Sequence, residues 1–140
     1  MSGKIIDGKA ISADIKQEVK LEVEALNKRG IEPCLAVMLV GENTASKVYV
    51  NNKKKACQAC GIQSVSYELP ENTSERELLD LVEKLNQDKK INGILVQLPL
   101  PKQIDETKVI LAISPKKDVD CFHPQNEGAL HTGQKGFLPC

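Results

Sequence analysis

Neither sign of charge predominates in this chain: 19 Lys and Arg face 19 Asp and Glu, a formal net charge of zero. A balanced surface offers no long-range field to nucleic acid or to an anionic membrane, so neither is expected as a partner. Long apolar runs are missing as well. The opening MSGKIIDGKAISADIKQEV has an acidic residue by Asp7 and nothing of the length that a signal peptide or a membrane span requires, which leads to the expectation of a cytoplasmic protein. Cysteine is sparse and odd in number. Cys34, Cys57, Cys60, Cys121 and Cys140 fall short of a disulfide scaffold, and reduced thiols are expected. No internal repeat or low-complexity linker interrupts the chain. At 140 residues, 41% of them hydrophobic, it is long enough for one domain to bury about two-thirds of its unfolded surface without staples.

What is present alternates between helical and extended patterns. Ile11, Ile15, Val19 and Leu26 recur on one helical face, and Gly30 with Pro33 supplies a stop, giving a helix over about residues 9–29. Cys34 to Val40 is a continuous apolar run closed by Gly41, the pattern of a strand covered on both faces. A helix from Thr44 to Cys60 follows, stopped by Gly61. Ile62 to Leu69 reads as a second strand. Ser74-Glu75-Arg76-Glu77 is a capping box ahead of the apolar stripe Leu78, Leu81, Val82 and Leu85. Gly93 to Leu98 reads as a third strand, ended by Pro99-Leu100-Pro101. A short helix spans about Asp105 to Ile113, and the remainder reads as loop. The fold class is therefore α/β, a three-layer domain with a mainly parallel sheet flanked by helices. In open sheets of this kind ligands sit beyond the carboxyl ends of strands, here after Val40, Leu69 and Gln97.

Three groups of residues near those ends carry chemistry. Tyr49 and Lys53 are four apart, so a phenol and an ammonium share one helical face. Taken on composition alone, the more ordinary reading is that Lys53, Lys54 and Lys55 form a solvated basic stripe with Tyr49 at its edge. Gln97 places an amide at the end of an apolar strand, where a ligand, a lysine or the proline loop itself could satisfy it. Asp118 and Asp120 alternate around Val119, so extended backbone would turn both carboxylates to one side, although carboxylates in loops commonly serve as turn and cap residues. No His or Cys spacing near them suggests a metal, and none is expected.

The order Gly41-x-Asn43-x-x-Ser46-x-x-Tyr49-Val50-x-x-Lys53-x-Lys55-Ala56, then Gly93-Ile94-Leu95-Val96-Gln97-Leu98-Pro99-Leu100-Pro101, then Lys117-Asp118-Val119-Asp120, closely resembles the bifunctional methylenetetrahydrofolate dehydrogenase/methenyltetrahydrofolate cyclohydrolase family. The resemblance covers nearly the whole chain. Its most specific part runs from Glu83-Lys84-Leu85-Asn86-Gln87-Asp88 to Leu100, and Phe137-Leu138-Pro139-Cys140 resembles the family's segment leading out of the folate domain. It implies that residues 1–140 are the catalytic domain, with a tetrahydrofolate derivative as substrate. The implied activity is NADP-dependent oxidation of 5,10-methylenetetrahydrofolate and hydrolysis of the methenyl product to 10-formyltetrahydrofolate, a supply of one-carbon units for purine biosynthesis. It also implies that Lys53 handles protons at the methenyl carbon, that Tyr49 lies against the folate rings, and that Gln97 holds Lys53. Asp120 would bind the pterin's N–H donors through a charge-assisted fork. Ser46, Leu98 and Pro99 are carried over as supporting substrate contacts, while Asp118 is implied to fix the loop.

Hydride transfer requires a dinucleotide-binding domain, which the family carries downstream. No G-x-G-x-x-G loop occurs among the 140 residues, so no cofactor-binding residue is assigned and the NADP site is expected in that other domain. The full-length enzymes of the family are homodimers, which the resemblance extends to the full-length form here. Two departures stand out. Cys121 occupies a position where the family usually has Gly; if the backbone there needs a positive φ, a Cβ costs on the order of 1 kcal/mol and could shift Asp120. Thr44 replaces a common proline at the helix start. Cys57-x-x-Cys60 falls at a helix C-terminus, the wrong end for a redox pair, so apolar packing is expected. A different class of function, a non-catalytic folate-binding module, is opposed by the joint presence of Tyr49, Lys53, Gln97 and Asp120.

Overall fold

The computed structural model describes residue 3 and residues 5–139; Cys140 lies outside them. Helices and strands alternate as α1 (Gly8–Lys28), β1 (Cys34–Val40), α2 (Thr44–Cys60), β2 (Gln63–Leu69), α3 (Glu75–Gln87), β3 (Gly93–Val96), α4 (Glu106–Ala112) and α5 (Pro124–His131). The strands form one parallel sheet in the order β2-β1-β3. Met38 at the centre stands opposite Tyr67 on one side and Val96 on the other.

Side-chain alternation along β1 splits the core between the two faces of the sheet. Ala36, Met38 and Val40 point toward α3 and α4, where they meet Leu78, Val82, Leu85 and Val109 together with Ile94 and Val96. Val37 and Leu39 point the other way and meet Leu95 and Val50 of α2. Each such aliphatic side chain contributes roughly 1.5–3 kcal/mol by leaving water. Because both faces are covered, the central strand reads as an unbroken apolar run, and the architecture is the expected three-layer α/β arrangement.

Local chemistry sets the helix ends. Asp7 accepts from the N–H groups of Lys9 and Ala10 and starts α1. Ser74 and Glu77 close the capping box reciprocally, Ser74 N–H donating to Glu77 Oε2 at 2.8 Å and Glu77 N–H to Ser74 Oγ at 3.3 Å. Gly61 ends α2 in the left-handed region at φ 77°.

Three expectations need correction. The segment expected to be loop after Asp120 contains α5, held by Asn126, whose Nδ2 donates to Pro115 O and to Asp118 Oδ2 at 2.9 Å each, rather than by an apolar stripe. The third strand stops at Val96, although Gln97 N–H still reaches Met38 O at 2.9 Å. On α1, Ile11 and Ile15 are exposed; only the later part of the stripe, around Val23, is buried, since α1 meets the body chiefly along α2. No helix among the described residues is long and apolar enough to cross a membrane.

Candidate active site

Parallel β-α-β connections run each helix back against its strand, so α2 begins at the carboxyl end of β1. Asn43 caps it by accepting from Ser46 N–H at 3.0 Å. Val50 is 2% exposed and locks the helix onto the sheet, which fixes the rotation of its neighbours. Ser46 is buried one turn before Val50, and Tyr49 and Lys53 share the adjoining face. Helical side chains lean toward the helix N-terminus, so the stem of Lys53 is directed to the carboxyl edge of the sheet.

There Lys53 Nζ donates to Gln97 Oε1 at 3.3 Å, while Gln97 Nε2 donates to Leu98 O at 2.8 Å. The second bond settles which way the amide faces: its oxygen is turned to the ammonium. Tyr49 is 61% exposed, so its ring is not part of the core and stands open beside the lysine. Pro99 is exposed after the half-buried Leu98, and the Leu98–Pro99 peptide is cis.

The carboxylates separate by task. Asp118 is 3% exposed and is consumed by the loop, its Oδ2 accepting from His123 N–H and Asn126 Nδ2 at 2.9 Å each. Asp120 is half-buried, and no protein hydrogen bond among the described residues perturbs its carboxyl. Burial pushes that carboxyl above its ordinary range, the Lys53 ammonium pulls it back, and the charge of Asp118 pushes it up further. Next to Asp120 lies an apolar hollow lined by Ile94, Val96, Leu98, Val109, Ile110 and Phe122. A lysine, an amide and a carboxylate thus converge on the carboxyl end of β3, beside an apolar surface and an open phenol. A larger groove lies at the amino ends of the strands, between β2 and Asp88–Asn92, away from Lys53.

Cys121 adopts φ 60°, a positive value among the described non-glycine residues, with its thiol donating to Phe137 O at 3.1 Å. The Gly-to-Cys departure therefore sits where a Cβ is disfavoured. Cys57 and Cys60 are free and buried, and burial raises the Cys57 thiol, helped by Cys60 and Cys34, the opposite of what a reactive thiolate needs. Among the described residues no cluster of His, Cys, Asp and Glu is arranged to hold a metal.

A family model described as tetrahydrofolate dehydrogenase/cyclohydrolase, catalytic domain, matches residues 6–120. The chain belongs to that family. It is 64% identical over 136 residues to the bifunctional protein FolD of Agathobacter rectalis, covering 97% of this chain and 49% of that relative. Among solved structures, the bifunctional enzyme FolD of Campylobacter jejuni superposes with a TM-score of 0.94 at 53% identity, covering 96% of this chain and 48% of that one. The methylenetetrahydrofolate dehydrogenase-cyclohydrolase of Trypanosoma brucei, solved with NADP and an inhibitor, superposes with a TM-score of 0.93 at 38% identity, covering 100% and 49%. The chain spans about half the length of the curated relatives it matches.

Within this catalytic domain, sequence reasoning attached no role to Lys117 or Asn86, although both stand inside quoted motifs. Lys117 Nζ donates to the carbonyls of Leu85, Asn86 and Asp88, and Asn86 bridges Ala112 O and Ser114 N–H. The only sequence signal was a long polar side chain next to the aspartates, because its acceptors are main-chain groups.

Proposed function

We propose that this chain is the folate-binding catalytic half of an enzyme that oxidises 5,10-methylenetetrahydrofolate with NADP and hydrolyses the methenyl product to 10-formyltetrahydrofolate. The observation that carries the reading is the 3.3 Å contact between Lys53 Nζ and Gln97 Oε1, made at the carboxyl end of β3 with Asp120 alongside. In hydrolysis, the oxygen of water bonds to the electrophilic methenyl carbon and gives up a proton. The bond from that carbon to the ring nitrogen then breaks as the nitrogen takes a proton and the oxygen gives up its second proton to water, leaving the formyl carbonyl. Lys53 serves the first two proton movements, taking one from the water and returning it to the nitrogen, and Gln97 keeps its amine pointed at the reacting carbon. Asp120 accepts from the pterin amino and ring N–H groups, a pairing that selects a folate and sets its orientation. Tyr49 lays its ring on the folate, with Ser46, Leu98 and Pro99 bounding the same cleft.

NADP would supply hydride acceptance when bound, and the 140 residues carry no G-x-G-x-x-G loop to cradle its pyrophosphate. Nicotinamide binding is therefore assigned to other parts of the enzyme, a cytoplasmic homodimer feeding purine synthesis, while these residues hold the folate and the hydrolytic site. The test is loss of methenyltetrahydrofolate absorbance, compared between the chain and its Lys53→Met variant. Enzyme-dependent hydrolysis that disappears in the variant is the expected result. Equal rates in the two proteins would remove Lys53 from the mechanism, and binding without turnover in the parent would favour a non-catalytic folate module.

A further inference from the structure

The segment that delivers Asp120 is anchored by a lysine whose ammonium donates to three main-chain carbonyls. Lys117 Nζ donates to Leu85 O at 2.9 Å, Asn86 O at 2.8 Å and Asp88 O at 2.8 Å. These carbonyls close the last turn of α3, where acceptors lack intrahelical partners and carry the negative end of the helix dipole. An ammonium has three N–H donors, so all of them are committed. The main chain of Lys117 is equally occupied: its carbonyl accepts from Ile94 N–H at 2.7 Å, and its N–H donates to Ser114 O at 2.8 Å. One residue therefore joins the end of α3, the outer edge of β3 and the strand-like stretch that leads to Asp120.

Neighbouring contacts leave that stretch little freedom. Asn86 Nδ2 donates to Ala112 O at 2.8 Å, and Asn86 Oδ1 accepts from Ser114 N–H at 2.9 Å, fixing the approach to Lys117 from the same helix end. Asp118 forms a parallel bridge with Ile94 and ties down the far side through His123 and Asn126. Val119 sits so close over Gly93 that a Cβ there would lie 2.6 Å from Val119 Cγ1. After three residues used wholly for attachment, Asp120 is the first carboxylate left over for a ligand.

We infer that Lys117 is a positioning residue for folate recognition: its three bonds to the α3 terminus hold Asp120 at the distance and angle at which it meets the pterin. The inference rests on the reading of Asp120 as the pterin anchor. A lysine that merely stabilised the fold would weaken folate binding whether or not Asp120 were present. A positioning lysine loses its influence when Asp120 is already disabled.

The test is a double-mutant cycle read as the dissociation constant for tetrahydrofolate, measured by titration calorimetry on the chain, Lys117→Met, Asp120→Asn and the double variant. Lys117→Met is expected to weaken binding about tenfold, the effect of one spoiled charge-assisted hydrogen bond. In the Asp120→Asn background the same change is expected to have less than about a twofold effect, since the pair then has no shared contact left. Lys117→Arg, which keeps charge and donors, is expected to recover most of the loss. Losses that multiply in the double variant would overturn the inference. A separate readout needs no ligand: carbon-13 NMR titration of the Asp120 carboxyl, which faces the charges of Lys53 and Asp118. In Lys117→Met it is expected to titrate closer to an ordinary aspartate, and an unchanged titration would overturn the positioning role. If Asp120→Asn alone binds tetrahydrofolate as tightly as the parent, the pterin anchor is lost, and the NMR titration alone decides on Lys117. Lys117→Gln, which keeps two donors, replaces Lys117→Met should the latter fail to fold.

Discussion

Replacing Asp120 by Asn should weaken folate binding and, at neutral pH, make the protein more stable. A half-buried carboxylate with no protein hydrogen bond among the described residues, close to Asp118, is held against its preference for water. Its carboxyl therefore titrates above the usual aspartate range when folded, so between the unfolded and folded values the native state holds more protons than the unfolded one. Stability must then fall as pH rises through that window and level off above it. Asp120→Asn removes this slope. The variant should match the parent at low pH, gain on it through the window, and stay ahead at neutrality, by under about 1 kcal/mol because water still reaches and screens the group. Binding moves the other way. On the proposed pterin contact, the carboxylate would offer acceptors to two donors whereas the amide would turn an N–H₂ toward one of them, and losing a charge-assisted bond costs about 1.5–3 kcal/mol, or roughly ten- to a hundredfold in affinity. Urea unfolding of both proteins across pH 3–8 measures the first effect, and tetrahydrofolate titration the second. Comparison with the parent is essential because Glu75, Glu77 and Glu83, lowered mainly by hydrogen bonds from Lys108, Ser74 and Gln87, tilt the curve in the opposite sense. A variant that loses ground on the parent as pH rises would show that Asp120 is a stabilising carboxylate, and the account of a site held open for a ligand would fail.

The remaining expectations concern the surroundings of that residue. Gly93→Ala would place a Cβ 2.6 Å from Val119 Cγ1 and 3.1 Å from Leu35 Cδ1, so it should destabilise the fold by about 1–3 kcal/mol and weaken tetrahydrofolate binding by displacing the Asp120 segment; denaturant midpoints and titration on the same sample check both. Cys121 is fully buried at φ 60°, so Cys121→Ala loses the thiol contact and keeps the strain, whereas Cys121→Gly loses the contact and relieves it. The Gly variant should be the more stable of the two by about 1 kcal/mol in urea unfolding, and the reverse order would mean that the loop accepts a Cβ there without strain.

What could be read from sequence follows a physical division. Features encoded by neighbouring side chains were legible: the Ser74–Glu77 capping box, the Gly61 stop, the apolar run of β1 and the shared face of Tyr49 and Lys53 all appear where expected. The meeting of Lys53 with Gln97 joins residues 44 apart, and no local pattern encodes it; only the family resemblance brought the two together in advance. Helix α5 escaped because its stability comes from Asn126 reaching Pro115 and Asp118 and not from an apolar stripe, so periodicity had nothing to detect. The work of Lys117 was hidden for a related reason. A lysine bonded to carbonyls at a helix end looks, in sequence, the same as a lysine in water, since any residue can supply those carbonyls. Cys121 shows the converse: a departure at one position raised the question of a positive φ, and the backbone has it. It follows that the groups proposed to meet a folate are the easier half to recognise, being chemically particular, whereas the groups fixing their placement act through main chain and are visible only once the fold brings the end of α3 against the segment of Asp120.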